Sequence, residues 1–135
     1  IATEFTEDWP LTVMQIASHS LMGDIAYRRG DFGGAVQHYR VAAGLQDGLR
    51  YTEPAYWNKP VRHDLGAALL AAGQPAEAER VYREDLEKFP DNGWSLYGLA
   101  ESLDAQGKSD ETEEVRARLG EAWSDADVTL TGSRF

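Results

Sequence analysis

The chain has 135 residues, 42% hydrophobic and 27% charged, with a formal net charge of −10 and no cysteine. That length suits one domain, and that balance belongs to a globular protein, not a disordered one. The acidic surface disfavours nucleic acid and anionic membranes as partners, and the missing thiols exclude disulfides, thiolate catalysis and cysteine-ligated zinc. No apolar run approaches the roughly 18 residues a bilayer span requires. The longest, around Leu65 to Ala72, contains Gly66. No signal peptide is visible. Residue 1 is isoleucine, so a fragment or a processed product is expected, with room for a targeting signal upstream. The compartment therefore stays unknown, with the cytoplasm preferred.

Six helices are predicted in chain order. The first covers 11–29 and turns at Gly30-Asp31 into a second over 31–46, whose apolar face holds Ala35, Val36, Tyr39 and Ala42. Gly33 and Gly34 near its start cost about 1 kcal/mol each relative to alanine, so this end is expected to fray. A third helix over 58–72 carries Val61, Leu65, Ala68, Leu69 and Ala72 at helical spacing. Gly73-Gln74-Pro75 breaks it, glycine suiting a helix end and proline a helix start. The fourth, over 75–89, buries Ala78, Val81, Tyr82, Leu86 and Phe89, and Pro90-Asp91-Asn92 ends it. The fifth, over 93–106, carries Leu96, Leu99, Ala100 and Leu103. After Gly107-Lys108-Ser109 the sixth, over 109–124, carries Val115, Leu119, Ala122 and Trp123.

These helices repeat in pairs. A step of 34 takes Leu65 to Leu99, Leu69 to Leu103, Gly73 to Gly107 and Val81 to Val115. A backward step of 43 takes Gly66 to Gly23, Gly73 to Gly30, Ala78 to Ala35 and Tyr82 to Tyr39. Three units are thus expected, at about 16–49, 59–92 and 93–126, with an insertion at 50–58 and a C-terminal tail at 127–135. Two helices approach closely only over small side chains. Gly23, Gly66 and Ala100 are expected at the crossings, facing Ala35 and Ala78, with Tyr39 and Tyr82 filling the space between units.

Leu65-Gly66, Leu69, Gly73, Ala78, Tyr82 and Pro90 follow the tetratricopeptide pattern, and the chain resembles that family over about residues 11–126. The third unit departs most, with Thr112, Arg116 and Ser124 where the pattern has alanine, an aromatic and proline. The stretch Tyr51-x-Glu53-Pro54-x-x-Trp57-x-x-Pro60-Val61-Arg62 is similar to one near the C-terminal end of longer bacterial proteins of this family with unassigned activity. The resemblance implies an all-α, right-handed superhelical stack of three helical hairpins that binds proteins or peptides and is not an enzyme.

The resemblance also implies a concave face lined by the first helix of each unit. Ser20, Asp24 and Tyr27 fall there from the first unit, His63, Ala67 and Leu70 from the second, and Trp94, Tyr97, Glu101 and Asp104 from the third. Family members that hold acidic chaperone tails use a Lys, Arg and Asn clamp on this face. The equivalent positions here are Ser20, Asp24, Asp64, Trp94 and Gly98, so a basic or apolar segment is the expected partner. In the insertion, Tyr51, Glu53, Trp57 and His63 are placed to rim a ligand pocket. The preferred alternative is a stiff plug, with Trp57 buried and Glu53 near Arg62. His19, His38 and His63 show no metal-ligand spacing, so neither metal nor cofactor is expected. Asp24 near His19 reads as a solvated face. The leading function is an interaction scaffold, the C-terminal repeat module of a longer protein. The alternatives are a small-ligand or catalytic site around the insertion, and a structural cap or homodimer surface.

Overall fold

A computed structural model describes residues 9–49, 59–124 and 132–133. Among these residues six α-helices form three hairpins: α1 (Trp9–Arg28) with α2 (Phe32–Asp47), α3 (Val61–Ala71) with α4 (Pro75–Lys88), and α5 (Gly93–Ala105) with α6 (Ser109–Ala122). Each helix packs on the next in the chain, and α3 also meets α5. No strand occurs among the described residues.

The same turn closes all three hairpins. Gly30, Gly73 and Gly107 have φ near +75°, at 77°, 74° and 73°. Around Gly73 the amide of Gln74 reaches the carbonyl of Leu69 at 2.8 Å and that of Gly73 reaches Leu70 at 3.0 Å. The matching pairs recur at Asp31–Ala26 with Gly30–Tyr27, and at Lys108–Leu103 with Gly107–Asp104. Each is a left-handed glycine cap that satisfies the last carbonyls of a helix.

Three local expectations shift. The α2 start, expected to fray, carries a cap that opposes fraying: the Asp31 carboxylate accepts the Gly34 amide at 2.9 Å. The third helix begins at Val61, not near 58, because Pro60 sits extended at φ −64° and ψ 115°, and the residue before a proline avoids helical backbone. The fourth ends at Lys88 for the same reason. Phe89 precedes Pro90, lies outside the helix and is 52% exposed, not part of the buried stripe.

Large residues of the second helices fill gaps that glycines leave on the first helices. Tyr39 is fully buried against Gly23, where an added Cβ would come within 2.5 Å of its ring. The fully buried Tyr82 ring lies between Gly66 and Gly98, and a Cβ on either would overlap it. Trp123 covers Gly93 in the same way. The crossings expected at Gly23 and Gly66 are therefore real, and Gly98 adds a contact between units. Around them Ile16, Ala35, Ala42, Val61, Leu65, Leu69, Ala78, Leu96, Leu99, Ala100, Leu103 and Val115 form one continuous core.

Glycines differ in what they permit, which makes a test. Gly66→Ala should destabilise the domain by about 1–3 kcal/mol, since Tyr82 is wedged from both sides and cannot yield. Gly120→Ala, in α6 with nothing within 4 Å of the new Cβ, should instead stabilise by up to about 1 kcal/mol. Thermal melts read both signs; an unchanged midpoint for Gly66→Ala would mean the tyrosine ring is not held at that crossing.

Candidate functional site

Helices α1, α3 and α5 share a face that contains a cleft of about 280 Å³. Tyr27 lines it from α1, Ala67, Leu70 and Ala71 from α3, and Tyr97, Gly98 and Glu101 from α5, with Gly132 and Ser133 alongside. Its floor is apolar, its sides carry two tyrosines, and its edge carries a carboxylate. Tyr27 is steadied by an edge-on contact with Phe32 at 5.2 Å between ring centroids. Burial raises the Tyr97 hydroxyl above its ordinary pKa, and the nearby Glu101 charge adds to this.

The cleft gathers Tyr27, Tyr97 and Glu101 of the residues anticipated for this face, with Ala67 and Leu70. The others lie elsewhere. Asp24, one turn before Tyr27, accepts a hydrogen bond from the Tyr39 hydroxyl at 2.6 Å. Trp94 packs edge-on against Trp123 at 5.9 Å, at the far end of α5. Asp104 is exposed and shares Arg116 with Glu101, at 3.7 and 3.8 Å.

His63 is turned inward and is only 7% exposed. It belongs to a buried polar cluster centred on Asp85. Oδ2 of Asp85 receives His63 Nε2 at 3.0 Å, Asn92 Nδ2 at 3.0 Å and Ser95 Oγ at 2.6 Å. Burial pushes the Asp85 carboxyl up, but the hydrogen bonds from His63 and Ser95 outweigh it and leave the pKa below the usual range. Sequence reasoning misses Asp85, although it lies on the buried stripe of α4, between Tyr82 and Leu86. An acidic residue inside an apolar period is the signal that could have found it.

Arg62 pairs with Asp47 through two bonds of 2.6 and 2.7 Å and also reaches Glu84 at 3.3 Å. The Arg62 bonds and a second cation, Lys88 at 2.8 Å, hold the Asp47 pKa at about 2. Tyr51, Glu53 and Trp57 lie outside the described residues, and with them the plug expected there. His19 pairs with His38, Nδ1 to Nδ1 at 3.2 Å. Among the described residues no group of three metal-binding side chains converges.

These carboxylates set an acid limit. Glu79 is pushed up by burial but held at about 2 by Lys108, Gln106 and Arg83. A lowered folded pKa contributes stability that is complete above the unfolded value, 4.5 for Glu79 and 3.8 for Asp47, and is lost as pH falls towards the folded one. Stability should therefore decline from about pH 4.5 to about pH 2. Glu79→Gln should flatten that decline, as read from urea midpoints at about pH 5 and about pH 3. Parallel declines in both proteins would show that Glu79 is not ion-paired in solution.

Two family models described as tetratricopeptide repeat match the chain, at residues 69–125 and 16–40. The stretch between them, residues 41–68, includes residues 50–58, where the sequence leads one to expect an insertion. No curated protein matches the chain. Among the described residues no helix is long and apolar enough to cross a membrane. Repeats of this kind generally mediate contacts with proteins or peptides. Three glycine-capped hairpins, packed through small and large residues in register, together with these two matches, place the chain in the tetratricopeptide repeat family.

Proposed function

We propose that the chain is a non-catalytic scaffold that docks a basic or apolar segment of a partner protein on the face of α1, α3 and α5. The cleft between Tyr27, Leu70, Tyr97 and Glu101 carries this proposal. A lysine or arginine entering it meets both a carboxylate and ring faces, each of which attracts a cation. The positions that would clamp an acidic tail carry no cation. One of them, Asp64, is buried and paired with Lys59 at 2.8 Å. The absence of catalysis is supported by the Asp85 cluster, in which carboxylate, imidazole and hydroxyl are spent on one another below the surface.

Docking is tested by selecting random peptides displayed on phage against the purified chain. Peptides that combine arginine or lysine with an aromatic residue should be enriched, and Glu101→Lys should weaken their binding about tenfold. Enrichment of acidic peptides, or none at all, would sink the proposal.

We further propose that the chain is the closing repeat module of a longer protein. Support comes from α1, where Leu11, Met14, Leu21 and Ile25 are 52%, 69%, 60% and 42% exposed. Their spacing puts them on one side of the helix, the seam that would receive another helix. A hairpin stacked there would cover it, since a repeat buries its apolar face only against a neighbour. Sedimentation of this chain distinguishes that occupant from a second copy. A monomer at every concentration is expected. A concentration-dependent dimer abolished by Leu21→Lys would instead assign the seam to self-association.

A further inference from the structure

One end of the cleft is closed by the chain itself. Gly132 and Ser133, which follow α6 in sequence, line it together with Tyr27, Leu70, Tyr97 and Gly98. Ser133 is 4% exposed. Its Oγ reaches the carbonyl of His63 at 3.4 Å and forms a hydrogen bond with the Tyr82 hydroxyl. Since the serine proton serves the carbonyl, the tyrosine donates to the serine. The tyrosine belongs to α4, on the far side of the hairpin. Its hydroxyl reaches Ser133, behind the cleft wall, because its ring passes between Gly66 and Gly98. A buried hydroxyl there needs a partner, and leaving one unpaired is costly. A small polar side chain at the position of Ser133 meets that need, and its near-complete burial leaves little space for a larger one.

We infer that this end of the cleft is a subsite for a serine preceded by a small residue, and that the chain's own Gly132-Ser133 step occupies it until a partner segment of the same kind displaces it. The inference rests on the docking surface proposed above and names what that surface selects. The chain supplies a matching sequence: Ser133 is followed by Arg134 and Phe135, a cation and an aromatic residue. An attached segment competes at an effective concentration in the millimolar range, and a partner's apparent affinity falls in proportion to the fraction of cleft left free.

The test uses the full chain and a fluorescent peptide with the sequence of residues 128–135. Ser133→Glu in the chain sets a carboxylate against the His63 carbonyl, in the field of Asp64 and Asp85 that also acts on Tyr82, and should unseat the segment. Ser133→Ala, which removes the hydroxyl alone, should act in the same direction and serves if the glutamate variant does not fold. Fluorescence anisotropy should show the peptide binding the glutamate variant about tenfold more tightly than the unmodified chain, as if the free fraction rose from about a tenth to nearly all. A peptide carrying Ser133→Ala should lose about tenfold on that same variant. Equal binding to variant and unmodified chain would overturn self-occupation. Equal binding of serine and alanine peptides would overturn the hydroxyl subsite. If the peptide binds no form of the chain while phage selection still yields basic, aromatic peptides, the inference fails and the docking surface stands.

Discussion

The ring of Tyr82 held between Gly66 and Gly98 sets the geometry on which the rest of the inner face depends. It fixes how close α3 and α5 come, and through them the floor of the cleft. The arrangement is a division of labour between paired helices: the first gives up side chains, and the second fills the space with one large ring. Tyr39 over Gly23 and Trp123 over Gly93 repeat the device at the other two hairpins. Packing at interior density makes such a contact intolerant, because a single added methyl has nowhere to go. Helix spacing is thereby written into a few glycines and three aromatic rings.

Apolar packing alone leaves neighbouring helices free to slide against each other. The Asp85 cluster removes that freedom at the junction of α3, α4 and α5. Its donors come from His63 on α3, Asn92 at the cap of α5 and Ser95 within α5. A displacement by one turn would separate them from the carboxylate and strand a buried charge, which costs far more than a small gap in the apolar packing. On the outer side, Arg62, Asp47 and Lys88 tie α2, α3 and α4 together, and Glu79 ties α4 to Lys108 at the start of α6. These pairs are partly exposed and add little stability individually. Their contribution is to orientation.

Much of the fold is visible in the sequence because its signals are local. Turn glycines at 30, 73 and 107 and the crossings at Gly23 and Gly66 follow from periodicity, whereas the rings that close those crossings, Tyr39 and Tyr82, are seen only in the fold. Deviations arise where a nearby residue overrides periodicity. Pro90 takes Phe89 out of the helix, and the Asp31 cap holds a start that Gly33 and Gly34 would otherwise loosen. Of the residues expected on the binding face, Tyr27, Tyr97 and Glu101 reach the cleft, because helical spacing is enough to place them. His63 shares that spacing but is drawn inside by Asp85, a partner 22 residues away. Ser133 has no local signal at all, since its contact with Tyr82 spans 51 residues.

The fold presents one face whose cleft is aromatic at its sides and acidic at its edge, and another, on α1, that is plainly apolar. A partner-binding role for the first is most directly tested by chemical-shift perturbation on the isotopically labelled chain, titrated with a short peptide containing arginine and phenylalanine. The account predicts that the largest shifts fall on Tyr27, Leu70, Tyr97, Gly98 and Glu101. Shifts concentrated on α2, α4 and α6, or on the exposed stripe of α1, would contradict it.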